Sequence, residues 1–148
     1  MHLEKYSLSV KPELGHYEFY SEGPKGSIKK VVVYSPMQDV GENVFNLGFG
    51  DWHEGKQGID DLIVTDNGDR EKVLSTVAAT ILHFVNLRPG SIIFITGSTQ
   101  SRTRLYQIAI NTFYKEITID FKIYGYLADE WDVFTKGKKY TAFLVVPK

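Results

Sequence analysis

Cysteine is absent from this 148-residue sequence. Disulfide bonds, cysteine nucleophiles and cysteine zinc sites are therefore excluded, because each of them requires a thiol. An excess of charge of either sign is also missing, since the formal net charge is -1. The protein thus lacks the overall positive field that favours nucleic acid, and an anionic partner would need a local basic patch.

Long apolar runs and targeting signals are missing too. The longest mostly apolar stretch, residues 77–85, is interrupted by Thr80 and His83 and is far shorter than a membrane span. The first ten residues do not combine a basic start with an apolar core, as a secretory signal would. Together with the lack of cysteine, these absences lead us to expect a cytoplasmic protein with no membrane partner.

The composition that is present is that of an ordinary globular protein. Hydrophobic residues make up 43% of the chain and charged residues 24%. A chain of this length can bury a sizeable core in one domain. Because no repeat, linker or low-complexity tract divides the sequence, we predict a single domain over residues 1–148.

Hydrophobic periodicity predicts an α+β fold. Apolar spacing of three and four predicts helices at 70–86 and 99–116. Strands are predicted at 3–10, 16–21, 27–35, 43–50, 61–65, 92–96, 119–127, 131–135 and 140–146. Segment 92–96 is largely apolar, so we expect a central strand covered on both faces. The predicted fold is a single α+β domain with a mixed, mostly antiparallel sheet and two main helices.

The stretch SIIFITGSTQSRTRLY, residues 91–106, carries the clearest functional signal. A strand that ends in glycine and leads into a helix can present backbone N–H groups and the positive end of the helix dipole to an anion. Two arginines in the first turn of that helix are unfavourable unless a negative group lies nearby. The predicted ligand-binding residues are Gly97, Ser98, Thr99, Ser101, Arg102 and Arg104.

The two arginines are predicted on different sides of this helix. At about 100° per residue, Arg102 shares a face with Leu105 and Phe113, whereas Arg104 points nearly opposite. One interpretation pairs Arg102 with a carboxylate of the protein itself and leaves Arg104 as a solvated surface charge. The other has both arginines bind a phosphate together with the neighbouring hydroxyls.

Other chemistry-bearing residues form less specific patterns. Asp51, His53 and Glu54 are of types that bind metals, but their spacing matches no known site, so we predict a polar loop over residues 51–60 and no metal. Ser98 has no base identifiable from the sequence, as a nucleophile would require.

The sequence also contains two sets of lysines, together with aromatic residues at 124–131. Such residues either form a surface on which nucleic-acid bases stack or protect strand edges from pairing with another chain. The lysines concerned are Lys25, Lys29, Lys30, Lys136, Lys138 and Lys139.

The order of elements from about Val31 onward resembles that of the GNAT acetyltransferases. In those enzymes the turn before the first long helix holds the pyrophosphate of coenzyme A, and the tyrosine of a Leu-Tyr pair acts as general acid. Leu105-Tyr106 matches that pair. The resemblance implies acetyl-CoA as cofactor and Tyr106 as the catalytic acid. Residues 66–69 read DNGD, where these enzymes have a basic or glutamine residue and closely spaced glycines.

A second resemblance covers nearly the full length of the chain. It is carried by SEGPKG at 21–26, DDL at 60–62, NGD at 67–69, TGST at 96–99, RTRLY at 102–106 and YGY at 124–126. On these motifs the chain is identified as a member of a family of small, uncharacterised bacterial proteins, chiefly from Bacteroidota. This resemblance implies no established activity.

Three functions are compatible with these observations. The first is a small cytosolic bacterial protein that binds a phosphate-bearing ligand, a nucleotide or a nucleic acid, at Gly97–Arg104 and serves in a toxin–antitoxin or phage-defence pair. The second is a diverged acetyltransferase that uses acetyl-CoA. The third is a protein-interaction module whose arginines are structural. Whether the protein is an enzyme is left open, and no cofactor is expected outside the second hypothesis.

Overall fold

A computed structural model describes residues 4–11, 15–53, 58–60 and 66–148 of the protein. These residues form nine strands and three helices. In chain order the elements are β1 (Ser9–Lys11), β2 (His16–Gly23), β3 (Gly26–Pro36), β4 (Val44–His53), β5 (Gly58–Asp60), α1 (Arg70–Leu87), β6 (Ile92–Ile95), α2 (Gln100–Thr112), α3 (Tyr114–Asp120), β7 (Phe121–Leu127), β8 (Glu130–Val133) and β9 (Ala142–Pro147).

Neighbouring strands are mostly antiparallel. Strands β1, β2 and β3 pair antiparallel in succession, as do β4 with β5, β6 with β9, and β7 with both β8 and β9, whereas β4 and β6 run parallel. The predicted α+β class with a mixed, mostly antiparallel sheet is therefore confirmed. The chain divides into two compact units, residues 1–35 with 48–87 and residues 36–47 with 88–148. The single domain over residues 1–148 stays a prediction.

The core of the first unit is built from aromatic side chains. Tyr34 of β3 stacks on Phe84 of α1 with ring centroids 4.2 Å apart, and Phe19 of β2 stacks on Phe49 of β4 at 6.4 Å. All four rings are buried. Successive inward positions of a strand are two residues apart, which explains why Tyr17 joins Phe19 in this core. The strand predicted at 16–21 is confirmed and extends to Gly23.

Two motifs that stand far apart in the sequence meet in the first unit. Asn67, from NGD, is buried against the β2–β3 hairpin turn of SEGPKG. Its Oδ1 accepts a hydrogen bond from the Lys25 N–H at 2.7 Å, and its Nδ2 donates to the Gly26 carbonyl at 2.8 Å. A Cβ on Gly23 would lie 2.0 Å from the Asn67 carbonyl oxygen, so only glycine fits. These contacts give both motifs a structural role, which we call the hairpin clasp.

Asp69 adds a second set of hydrogen bonds beside the hairpin clasp. Its Oδ2 accepts from the Ser21 hydroxyl and from the Tyr6 hydroxyl, both at 2.5 Å. Burial and the hydrogen bond to Asp69 raise the pKa of Tyr6, because both favour the neutral phenol over the phenolate. The segment before β1 is thereby tied to the residue that precedes α1.

The second unit contains residues 44–47 of β4, followed in hydrogen-bonded strand order by β6, β9, β7 and β8, together with α2 and α3. One face of β6, β7 and β9 supplies buried residues of this unit. Its residues include Ile93, Ile95, Phe121, Ile123, Phe143 and Val145. On the opposite face, Ile92 and Phe94 are only half-buried. The prediction that segment 92–96 is covered on both faces is therefore wrong, and its apolar run ends as a strand at Ile95.

The second predicted helix, residues 99–116, is interrupted. Helix α2 ends at Thr112 and α3 begins at Tyr114, and Phe113 between them has φ -102° and ψ 15°, outside the helical range. Its ring is 1% exposed, so burial of this side chain accompanies the break. The structure has three helices in its described residues rather than the two main ones predicted. None of them is long and apolar enough to cross a membrane.

Three predicted segments of the first unit differ from the structure or lie outside the described residues. The strand predicted at 3–10 is too long, since β1 covers only Ser9–Lys11 and residues 4–8 lie outside any strand. The predicted loop at 51–60 is wrong for its described residues, 51–53 and 58–60. Asp51 and Trp52 in β4 pair with Asp60 and Ile59 in β5. The strand predicted at 61–65, like Glu54, lies outside the described residues.

Lys30 and Asp51 correct two predictions about surface charge. Their side chains form an ion pair, with Lys30 Nζ 2.5 Å from Asp51 Oδ1, and the residues are 0% and 3% exposed. Removing two charges from water is tolerated when they compensate one another at hydrogen-bond distance. Lys30 is therefore no part of a basic surface, and Asp51 is neither in a solvated loop nor a ready metal ligand.

Candidate functional site

The candidate site begins where β6 ends and α2 starts. Thr99 is the N-cap of α2, with extended backbone angles of φ -137° and ψ 165°. Its Oγ1 accepts a hydrogen bond from the Arg102 N–H at 3.2 Å, and its carbonyl accepts from the Thr103 N–H at 3.0 Å. The first N–H groups of a helix have no carbonyl acceptor within the helix. Threonine suits this position because its hydroxyl accepts a hydrogen bond from one of them.

Gly97 lets the strand end pack directly on the helix. A Cβ at this position would lie 2.4 Å from the Thr103 nitrogen and 2.5 Å from the Arg102 Cβ, closer than any side chain tolerates. The Gly97 N–H donates to Thr103 Oγ1 at 3.1 Å. Gly97 thus brings strand and helix together, and its own N–H is already directed at Thr103.

A cleft of about 750 Å³ opens beside this junction. It runs between one stripe of α2 and the loop that connects β8 to β9. Its lining residues are Thr96, Gly97, Ser98, Thr99, Gln100, Thr103, Arg104, Gln107, Ile108, Asn111, Gly137, Lys138, Lys139, Tyr140 and Thr141. Three of these described residues are cationic and none is acidic, so the cleft concentrates positive charge and hydrogen-bond donors.

Gln107 holds the loop of the cleft against α2. Its Nε2 donates a hydrogen bond to the Lys138 carbonyl, and its Oε1 accepts from the Tyr140 N–H at 3.1 Å. The Tyr140 hydroxyl in turn accepts from the Thr135 N–H at 2.9 Å, and its ring fills the space above Gly125. One amide side chain therefore fixes the backbone that carries Lys138 and its neighbour across from the helix.

The two arginines have opposite environments, as the helical wheel predicts. Arg102 is 7% exposed, and its Nη2 lies 3.3 Å from the Tyr106 hydroxyl. Arg104 is exposed and lines the cleft. Of the six predicted ligand-binding residues, the structure thus brings Gly97, Ser98, Thr99 and Arg104 to the cleft. Ser101 and Arg102 are not among its lining residues.

Sequence reasoning missed the other half of the cleft. Lys138 and Lys139 belong to a basic turn that the sequence shows plainly, but nothing local links that turn to α2. Gln107 and Asn111 lie on the same helical stripe as Thr103, at spacings of four residues. A polar stripe on a helix that follows a predicted anion site was the one signal that could have extended the prediction.

The remaining candidate residues are not among the lining residues of the cleft. Tyr106, the catalytic acid under the acetyltransferase hypothesis, is 6% exposed and does not line the cleft. Its hydroxyl is instead hydrogen-bonded to Arg102. No group of three or more His, Asp or Glu side chains among the described residues is placed to hold a metal ion. His16 contacts Glu18 at 3.1 Å, and His83 contacts the Tyr17 hydroxyl at 2.8 Å.

Comparison with known proteins gives a family and no activity. No curated protein and no solved structure matches the chain. The model of a family of unknown function (DUF6934) matches residues 2–148, nearly the whole sequence. The hairpin clasp and the cleft both fall within this match. The chain therefore belongs to the family of unknown function DUF6934.

Proposed function

We propose that this protein binds a phosphate-bearing ligand, a nucleotide or a nucleic acid, in the cleft between α2 and the β8–β9 loop. The observation that carries the proposal is the charge of the lining: Arg104, Lys138 and Lys139 surround one cavity and no carboxylate lies among the described lining residues. Like charges gathered around a concave surface repel one another, and a bound anion relieves that repulsion.

The start of α2 adds to this attraction. Its first turn contains no acidic residue, and the positive end of the helix dipole lies at Gln100, which lines the cleft. Ser98 and Thr99 bring hydroxyls to the same place. Guanidinium, ammonium and hydroxyl groups are the donors that proteins use for phosphate oxygens, with arginine able to make two parallel hydrogen bonds.

The dimensions of the cleft suit a ligand larger than inorganic phosphate. Ligand sites commonly enclose about 300–1,000 Å³, and this cavity lies in that range. Gln107 holds the backbone of the basic loop to α2, so the segment that carries Lys138 and Lys139 is in place before any ligand arrives, which reduces the entropy lost on binding. Ile108, which is 38% exposed, adds apolar surface to the lining.

The proposal is tested by titrating the protein with nucleotides, oligonucleotides and tripolyphosphate and measuring the heat of binding. Arg104→Gln removes one charge-assisted contact, worth about 1.5–3 kcal/mol, and should weaken binding by about 10- to 150-fold. Lys139→Gln should weaken it less, because an ammonium binds as a point charge.

Two substitutions serve as matched controls. Arg88→Gln removes the same charge from an exposed arginine of the same unit that is not a lining residue. Lys136→Gln removes a lysine from the same basic turn, whose Nζ lies 5.6 Å from the Tyr114 ring centroid and outside the lining. Equal losses of affinity in test and control variants would show that net charge, not the cleft, governs binding.

We also propose a cellular setting from the motif resemblance described above. The resemblance to small proteins of Bacteroidota supports a bacterial source, and to this we add a cytoplasmic location and a role in a toxin–antitoxin or phage-defence pair as further parts of the proposal. Co-expression with the gene product encoded next to it tests this setting. Growth arrest by one partner that the other relieves is the expected result.

A further inference from the structure

We infer that the ligand is a single-stranded nucleic acid, whose phosphates occupy the cleft while its bases stack on an aromatic surface of the adjoining sheet. This inference rests on the proposed function and names the ligand class for the same site. The surface consists of Phe94, Tyr126 and Trp131, which we call the aromatic triad.

The aromatic triad lies on the sheet face opposite the buried one. Strand register places Trp131 beside Tyr126, and the two ring centroids are 5.0 Å apart. The Phe94 and Trp131 centroids are 6.2 Å apart with their planes at 71°. Trp131 is 42% exposed, and Val133 on the same face of β8 is 60% exposed. Such a run of partly exposed rings offers π faces of the kind on which bases stack.

The aromatic triad and the cleft share a border, which is formed by Thr96 and Thr141. Thr141 lines the cleft, and its backbone N–H donates to the Tyr126 carbonyl at 2.9 Å. Thr96, the other border residue, lies two positions after Phe94 and donates its hydroxyl to the Thr141 carbonyl at 2.9 Å. Cleft and rings therefore meet at one end of the same strands.

The distance from border to rings fits a short strand of nucleotides. From Thr141 across β7 to Trp131 is two strand spacings, or about 10 Å. Stacked nucleotides advance by about 3.4 Å each, so about three nucleotides cover this span. Three rings can stack more than one base, which favours an oligonucleotide over a mononucleotide. A duplex is disfavoured because its bases are paired and cannot reach the rings.

Charged residues of both signs lie near the aromatic triad. Lys122 lies on the same face, two positions from Tyr124, and is exposed. Glu130 and Asp132 flank Trp131 in sequence, but strand alternation directs them to the other face. Asp129 is the one nearby carboxylate among the described residues that contacts the triad, accepting from the Tyr126 hydroxyl at 3.4 Å. Lys122 is opposite Val146, whereas Tyr126 is opposite Ala142 beside the cleft, so Lys122 lies beyond the rings and the cations that attract phosphates are those of the cleft.

The test uses Trp131 as its own reporter. In a Trp52→Phe variant, Trp131 is the only tryptophan. The probes are ten-residue oligouridylate, ten-residue oligothymidylate, a ten-base-pair duplex and tripolyphosphate. Both single strands should quench Trp131 emission saturably, whereas tripolyphosphate should bind with little quenching. A stronger response to the oligouridylate than to the oligothymidylate would identify RNA as the ligand, and equal responses would identify single strands of either kind.

Substitutions in the aromatic triad separate this inference from the proposed function. With a fluorescently labelled oligouridylate, Trp131→Ala in the otherwise unchanged protein should weaken binding by about 5- to 150-fold, the range for one stacked base. Trp131→Phe should restore most of the affinity. Val133→Ala, on the same face of the same strand, should leave it unchanged.

The outcomes distinguish failure of the stacking inference from failure of the proposed function. If tripolyphosphate binds and Arg104→Gln weakens that binding as expected, but Trp131→Ala leaves oligonucleotide affinity unchanged, the phosphate site stands and the stacking inference is overturned. Duplex binding as tight as single-strand binding overturns it as well. If no phosphate compound binds the protein, the proposed function fails and the stacking inference fails with it.

Discussion

Arg102 and Arg104 lie two positions apart in the sequence but have different environments in the structure. Arg102 is buried and contacts Tyr106, while Arg104 is exposed in the cleft. The α-helical period of 3.6 residues accounts for this, since a step of two turns the side chain by about 200°. Their separation is therefore a property of the sequence, whereas the environment of each depends on what packs against α2.

Gly97 is the residue at which the junction is most sensitive to substitution. Gly97→Ala should lower the free energy of unfolding by about 1–3 kcal/mol, because the added Cβ would meet the backbone of α2 at 2.4 Å. Urea denaturation measures the change. Gly48→Ala is the control, since its nearest atom outside the adjoining residues would be 3.6 Å away. Equal stability of the two variants would contradict this view of the junction.

At the scale of elements, side-chain amides join segments that the sequence separates. Gln107 joins α2 to the β8–β9 loop, and Asn67 joins the residues before α1 to the β2–β3 hairpin. Each satisfies backbone groups that regular secondary structure leaves unpaired, which is why a single amide can hold a turn in place. The motifs SEGPKG and NGD are visible in the sequence, but their contact is not.

Asn67→Ala should lower the free energy of unfolding by about 2 kcal/mol or more. The substitution removes the hydrogen bonds to the Lys25 N–H and the Gly26 carbonyl, worth about 0.5–1.5 kcal/mol each, and leaves a gap where the Asn67 side chain is buried. Thermal or urea unfolding measures the effect, with exposed Asn86→Ala as control. A loss no larger than that of the control would mean that the hairpin turn forms without the clasp.

At the scale of the whole molecule, stability should depend on pH through Tyr6. Its pKa is raised in the folded protein by burial and by the hydrogen bond to Asp69, so the folded state keeps this proton longer than the unfolded chain does. The contribution of Tyr6 to stability is then complete below the ordinary tyrosine pKa of about 10 and is lost as the pH rises through the raised value.

Comparison with Tyr6→Phe isolates that contribution. The variant lacks the hydroxyl and should be less stable than the wild type by about 1–2 kcal/mol at neutral pH. This difference should shrink as the pH rises above about 10, as measured by urea unfolding at a series of pH values. A difference that is constant up to high pH would show that the Tyr6 hydroxyl titrates as it does in the unfolded chain.

Periodicity and residue type were enough to predict the α+β class, most strands, α1 and the strand–glycine–helix junction at Gly97. These features depend on neighbours within a few positions, where alternation, helical spacing and glycine act directly. Tertiary structure alone decided that Lys30 and Asp51 pair in the core, that α2 breaks at Phe113, and that Lys138 and Lys139 face Arg104 across one cleft. Those outcomes arise from contacts between distant segments, whose free energy depends on burial and charge in three dimensions and leaves no local pattern in the chain.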